Sequence, residues 1–195
     1  VLVKVAERNR DIQAVAIGSS AGGIEALKSL LVHVPKGFSG CILVVQHLGT
    51  RAPATLVNFF SQVCIAPVKE MEDKAFIESG TIYFAPPGYH VLVESDYSFS
   101  LSVEDAVNYA RPSIDVLMES VADVYREKAA GIILTGANHD GAKGLKAIRE
   151  AGGITMVQDP ATASFPSMPE AAVETHKPDF ILTLPQIAGM LQSWS

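Results

Sequence analysis

The chain has 195 residues, 48% of them hydrophobic and 18% charged, with a formal net charge of −6. That length and apolar content suffice for one well-buried domain, while no apolar run approaches the roughly 18 residues a membrane-spanning helix needs. The acidic balance and the lack of a Lys/Arg stripe leave no electrostatic footprint for nucleic acid, so neither membrane insertion nor nucleic-acid binding is expected.

Residues 1–10, with Lys4, Glu7, Arg8, Asn9 and Arg10, read as a linker or N-terminal extension, and 11–195 as the folded domain. No signal-peptide pattern precedes the first strand, which points to the cytoplasm. Cys41 and Cys64 each lie in or beside an apolar run without a C-x-x-C partner, the pattern of buried thiols in a reducing compartment.

The first apolar run, Ala14 to Ile17, suits a buried strand, and Ile24 to Leu31 carries apolar residues at helical spacing. Between them Gly18-Ser-Ser-Ala-Gly22 matches the nucleophile-elbow pattern G-x-S-x-G, with Ser20 at the nucleophile position. A glycine-rich strand-to-helix turn also binds phosphate, but the dinucleotide and P-loop spacings are both missing. Gly40 to Gln46 predicts a second buried strand ending at His47, and Pro53 opens a helix through about Ser61, which together make a right-handed βαβ unit. Ile65 to Lys69, Thr81 to Ala85, His90 to Glu94 and Ser98 to Val103 are short strand candidates, read as an antiparallel edge or hairpin attached to the parallel sheet. A helix from Pro112 to about Lys128 follows. Next come a strand over Gly131 to Thr135, a helix from Ala142 to Ala151 and a strand over Ile154 to Val157. A loop holding Pro160, Pro166 and Pro169 leads to the last strand, Phe180 to Leu184, and a closing helix after Pro185. The fold class is α/β, a doubly wound, mainly parallel sheet with helices on both faces and a small antiparallel hairpin region.

In open α/β sheets ligands bind beyond the carboxyl ends of the strands. Ser20, His47 and Asp140 each follow a predicted strand there, so three separate loops bring a serine, a histidine and an aspartate to one edge. Taken singly, His47 reads as a structural histidine and Asp140 as a helix cap. Taken together with the elbow they form a candidate hydrolytic triad of nucleophile, general base and orienting carboxylate. His33, His90, His139 and His176 compete for the base, but His33 falls near the far end of the first helix and His139 adjoins Asp140. No metal-ligand spacing supports a zinc hydrolase.

Ala16-Ile-Gly-Ser-Ser-Ala-Gly-Gly23, Val45-Gln-His-Leu48 and Ile133-Leu-Thr-Gly-Ala-Asn-His-Asp-Gly-Ala142 resemble the signature segments of the chemotaxis protein-glutamate methylesterase (CheB) family. Ala85-Pro-Pro-Gly-Tyr-His90, Arg111-Pro-Ser-Ile-Asp-Val-Leu117 and Met168-Pro-Glu-Ala171 match in family order, so the resemblance covers a methylesterase catalytic domain over 11–195. It implies a cytoplasmic serine hydrolase that removes methyl groups from glutamate γ-methyl esters on methyl-accepting chemotaxis receptors, releasing methanol, and in many relatives deamidates receptor glutamines. Ser20 falls on the nucleophile, His47 on the base and Asp140 on the carboxylate. The backbone N–H groups of Ala21 and Ala137 fall on the oxyanion hole, and no metal or organic cofactor is implied. Arg111 and Met168 are candidates for the substrate cleft, with Arg111 alternatively tying a loop to a carboxylate. A phosphorylatable receiver domain, outside this chain, is the implied regulatory partner. The chain departs from the family at Ala137 (often Met), Asn138 (usually Gly, although Asn tolerates a left-handed backbone) and Ser167 (usually Gly). The rival readings are a small-molecule esterase or amidase with the same triad, and a non-catalytic module that binds receptor or nucleotide through the Gly18 to Gly23 turn.

Overall fold

The structure is a computed structural model and describes residues 11–48 and 56–194. Its nine strands are β1 (Ala14–Ser19), β2 (Cys41–Gln46), β3 (Val68–Glu70), β4 (Ile82–Phe84), β5 (His90–Val93), β6 (Phe99–Ser102), β7 (Ala129–Ile133), β8 (Ile154–Gln158) and β9 (Phe180–Leu182). The helices are α1 (Gly23–Leu31), α2 (Leu56–Val63), α3 (Ile114–Tyr125), α4 (Ala142–Glu150), α5 (Ser167–Thr175) and α6 (Leu184–Ser193).

Seven strands form one parallel sheet in the order β3-β4-β2-β1-β7-β8-β9. Every residue of β1, β2, β7 and β8 is buried, as expected of strands covered on both faces. Side chains alternate between two apolar layers. Val15, Ile17, Ile42 and Val44 pack with Leu27, Leu30 and Leu31 of α1 and Ile187 and Leu191 of α6. Ala14, Ala16, Leu43 and Val45 face Ile114, Leu117 and Val121 of α3 and Leu145 and Ile148 of α4. The small alanines of β1 leave room for the larger α3 side chains. From β1 the chain moves outward to β2 and on to the edge strand β3, comes back to β4 between those two, and later adds β7 on the other side of β1, so the sheet has its topological switch point between β1 and β7.

Three expectations need correction. The four short middle strands do not form one antiparallel region: β3 and β4 extend the parallel sheet, and only β5 and β6 pair as an antiparallel hairpin, outside that sheet. β4 is fully buried and Phe84 stacks on Phe60 of α2 with ring centroids 4.8 Å apart. Three buried residues between turns could not show by alternation which neighbour they pair with. The Pro-rich loop contains α5, because Pro169 falls in the first turn of that helix, where a missing N–H costs no helical bond. The expected strand over Ile65 to Lys69 shifts to Val68–Glu70. The start of the Pro53 helix and the extension at 1–10 lie outside the described residues. Both cysteines are free, and burial pushes the Cys41 thiol up to about 12. No described helix is long and apolar enough to cross a membrane.

Candidate active site

Ser20 stands half-buried at the carboxyl end of β1, in the turn before α1. Its backbone is held on two sides: its N–H donates to the Thr135 carbonyl at 3.0 Å, beyond β7, and its carbonyl accepts from Gln46 Nε2 at 2.8 Å. Gln46, the buried last residue of β2, also donates to the His47 carbonyl at 2.7 Å and accepts from Ser19 Oγ at 2.7 Å. One carboxamide therefore ties the Ser20 loop to the His47 loop. A side chain at Gly23 would overlap Gln46 Oε1 and crowd Ser19, so this knot requires glycine at the start of α1. A Cβ on Gly136 would overlap Met168 and come within 3.0 Å of Ser20 Cβ, so the β7 loop needs glycine to pass beside the serine.

His47 follows β2, and its Nε2 lies 2.9 Å from Asp140 Oδ2. Asp140 is 1% exposed and accepts four further donors. Ile114 N–H (2.6 Å) reaches Oδ2, while Ser113 Oγ (2.8 Å), Asp115 N–H (3.2 Å) and Asn108 Nδ2 (3.2 Å) reach Oδ1. Two of these are backbone amides at the N-terminus of α3, where the helix dipole favours an anion. Burial alone would raise the Asp140 carboxyl, but the hydrogen bonds from His47, Ile114 and Ser113 outweigh it and hold the group below the ordinary carboxylate value.

The favour is returned. Asp115, in the first turn of α3, accepts the N–H groups of Gly141 (2.9 Å) and Gly144 (2.8 Å) at the start of α4. Each helix thus has its first turn capped by a carboxylate from the other segment. Asn108 Nδ2 bridges the two, donating to Asp115 Oδ2 at 2.9 Å as well as to Asp140. Burial, reinforced by the neighbouring Asp140 charge, moves the Asp115 carboxyl upward in spite of its donors.

Ser20, His47 and Asn138 border an open cleft of about 370 Å³, with Pro87, Tyr109 and Arg111 on its rim. Among the described residues no protein acceptor takes the backbone N–H of Ala21 or of Ala137, and Ser20 Oγ makes no protein hydrogen bond. Arg111 borders the cleft, but its Nη1 donates to the carbonyls of Val103 (2.7 Å) and Glu104 (3.0 Å) and not to a carboxylate. Met168 does not line the cleft. It is 1% exposed and packed beneath the Gly136 loop, because α5 turns it into the core. Of the competing histidines, His90 is buried between Ser113 N–H and the Asp105 carbonyl, while the side chains of His33 and His139 are exposed.

Sequence reasoning missed Gln46, Asn108, Asp115 and Tyr109. Asn108 and Tyr109, with φ of 50° and 63°, form a tight turn between Val107 and Ala110, whose ends exchange hydrogen bonds of 2.8 and 3.1 Å. Both central residues have positive φ, as a type I′ turn requires, and the turn sets the Tyr109 ring fully exposed at the cleft mouth. Asn next to Tyr in a loop gives no such signal in sequence, since that turn more often carries glycine.

A family model described as CheB methylesterase matches residues 15–191. A putative protein-glutamate methylesterase/protein-glutamine glutaminase of Leptospira interrogans (strain Fiocruz L1-130) is 48% identical over 91% of this chain and 92% of its own length. Protein-glutamate methylesterase/protein-glutamine glutaminase 1 of Bordetella avium is 36% identical over 96% of this chain and 55% of its own length. Protein-glutamate methylesterase FrzG of Myxococcus xanthus is likewise 36% identical, and the chain covers 54% of it. The chain therefore spans about half the length of these last two relatives and nearly all of the first. The crystal structure of the Thermotoga maritima CheB methylesterase catalytic domain superposes with a TM-score of 0.89 at 30% identity, covering 94% of this chain and 99% of that one. Profile, relatives and fold agree over the same stretch, and the chain belongs to the CheB methylesterase family.

Proposed function

We propose that this chain is a protein-glutamate methylesterase that demethylates glutamate γ-methyl esters on chemoreceptors in the cytoplasm and deamidates receptor glutamines with the same groups. The observation that carries the reading is the hydrogen-bonded pair His47–Asp140 in the cleft that exposes Ser20. With Nε2 committed to Asp140, Nδ1 is the ring nitrogen left to take the Ser20 proton as Oγ attacks the ester carbonyl. Asp140 stays ionised and stabilises the imidazolium. The open N–H groups of Ala21 and Ala137 suit the developing oxyanion, and losing one such donor typically costs about 2.7–4 kcal/mol of transition-state stabilisation. The imidazolium returns its proton to methoxide, methanol leaves, and water activated by His47 hydrolyses the acyl-Ser20 to restore the free glutamate. From glutamine the same sequence releases ammonia.

Methanol release from methylated chemoreceptor membranes, compared between the native chain and Ser20→Ala, tests this. Release by the native chain alone is expected. Equal release by Ser20→Ala overturns the nucleophile assignment. Rapid hydrolysis of simple esters with no preference for receptor would point instead to a small-molecule esterase.

A further inference from the structure

The Nδ1 lone pair that the proposed reaction needs is already taken. Asn138 Nδ2 lies 3.1 Å from His47 Nδ1. Which end of that carboxamide faces the ring follows from its other end, because the backbone N–H of Asp140 can only donate and lies 3.1 Å from Asn138 Oδ1. Nδ2 therefore faces the imidazole, Nδ1 accepts, and the ring proton sits on Nε2, which donates to Asp140 Oδ2 at 2.9 Å. The donors run in a closed loop from the Asp140 backbone through Asn138 and His47 back to the Asp140 carboxylate.

Nothing in the backbone calls for asparagine at 138. The described non-glycine residues with positive φ are Lys74, Tyr97, Asn108, Tyr109 and Arg126, so Asn138 is not spending its tolerance of left-handed geometry. What its side chain does is hold one lone pair. An imidazole nitrogen offers a single in-plane lone pair, and Ser20 Oγ cannot share it with the amide. Among the described residues Ser20 Oγ has no hydrogen-bond partner, as this competition requires.

We propose that Asn138 is a positioning residue that latches the general base: in the resting protein its carboxamide occupies Nδ1, and Ser20 is activated only after that amide has swung away. The proposal rests on the roles given above to Ser20 and His47. Removing the latch should free the base without disordering it, because Asp140 alone holds Nε2, and four other donors hold Asp140. Breaking one ordinary hydrogen bond before each reaction slows it by roughly 2- to 13-fold, which is the acceleration expected when the latch is deleted.

The decisive variant is Asn138→Ser. A serine hydroxyl can still accept from the N–H two residues on, keeping the Asp140 backbone satisfied, but it is too short to reach the ring. Asn138→Ala removes both contacts and serves as the second variant. The whole chain is treated with a small fluorophosphonate: the Ser20 Oγ–P bond forms, the P–F bond breaks, fluoride leaves and the hydroxyl proton passes to Nδ1. The rate of labelling at Ser20 is followed by mass spectrometry, with Ser20→Ala as the unlabelled control. Both Asn138 variants should react roughly 2- to 13-fold faster than the native chain. Equal or slower labelling of Asn138→Ser overturns the latch while leaving the nucleophile intact. Absence of label at Ser20 in all forms overturns the nucleophile assignment and the latch together. Nitrogen-15 spectra of the His47 ring give a readout that a merely structural role would not move. In Asn138→Ser the proton should stay on Nε2 while the Nδ1 resonance moves. A proton transferred to Nδ1 would mean that Asn138 sets the tautomer, and the latch would be wrong.

Discussion

Replacing Asp140 by asparagine exchanges one oxygen for an NH₂ group in a site where both oxygens only accept. If the amide oxygen takes the place of Oδ2, it can still accept from Ile114 N–H and His47 Nε2, but the NH₂ then confronts Asp115 N–H and Asn108 Nδ2. If the NH₂ takes the place of Oδ2, it confronts Ile114 N–H and forces His47 Nε2 to accept, which moves the ring proton to Nδ1 and removes the base. Either way one backbone N–H at the buried start of α3 loses its acceptor, at about 1–3 kcal/mol, and the helix loses a negative charge at its N-terminus, worth about 0.3–1 kcal/mol or more where buried. The sum is about 1–4 kcal/mol of stability, and turnover should fall by up to roughly 10⁴-fold, as when the triad carboxylate of a serine protease is changed to an amide. Urea unfolding and methanol release on the same preparation read both effects. The sign of the pH dependence is fixed as well. Asp140 lies below its unfolded value of 3.8, so its contribution is full at neutral pH and is lost as pH falls through the folded value. The gap between native and Asp140→Asn should therefore close in acid. An Asp140→Asn protein that keeps more than about a tenth of native turnover and unfolds at the native urea concentration would refute this account of the site.

Asp115→Ala removes the acceptor of Gly141 and Gly144 N–H. It should cost about 2–4 kcal/mol in urea unfolding and, by letting the Asp140 segment shift, roughly 10²-fold in turnover. Gly23→Ala drives a methyl into Gln46 Oε1 and should lower stability by about 1–3 kcal/mol, with a fall in kcat seen in the same methanol assay. Tyr109→Ala leaves stability within about 0.5 kcal/mol, because the ring is fully exposed, yet should raise KM for receptor roughly fivefold while leaving a small ester unaffected. At His176, burial and then the charge of Arg149 push the imidazole below its ordinary 6.5. The unfolded chain then binds a proton the native one resists, so stability should fall as pH drops below 6.5, and urea titrations of His176→Leu should lose that part of the decline.

How much of this was legible in the chain depends on the range of the interaction. The sheet strands flanking the site are continuous apolar runs and the elbow is a local pattern, so β1, β2 and β7 and the three residues at their ends could be placed from sequence. What could not be placed depends on pairing at a distance. Asp115 lies 26 and 29 residues from the amides it caps, and Gln46 lies 26 residues from the Ser20 carbonyl it holds. Met168 was misread because Pro166 and Pro169 lie close by, a composition shared by loops and by helix first turns, and only the packing of α5 on the Gly136 loop turns that side chain inward. Asn138 was weighed as a backbone residue, since tolerance of left-handed geometry is a property of asparagine itself, whereas its contact with His47 spans 91 residues.

The exchange of carboxylates between α3 and α4 links folding to chemistry in an uneven way. Ser113 caps α3 locally, but the amides of Ile114, Asp115, Gly141 and Gly144 find their carboxylates only when the two segments are docked together. Asp140 is in this sense a structural residue that His47 borrows: of its five donors among the described residues, four belong to α3 and the loop before it and one is His47. Ser20 stands at the other extreme, because its backbone is fixed by Thr135 and Gln46 while its hydroxyl makes no hydrogen bond among the described residues. Ser20→Ala should therefore silence the protein at native stability, whereas no change at Asp140 can do so. The hydroxyl proposed as nucleophile thus lies where folding does not use it, and the carboxylate proposed to orient the base lies where two helix amides already call for a negative charge.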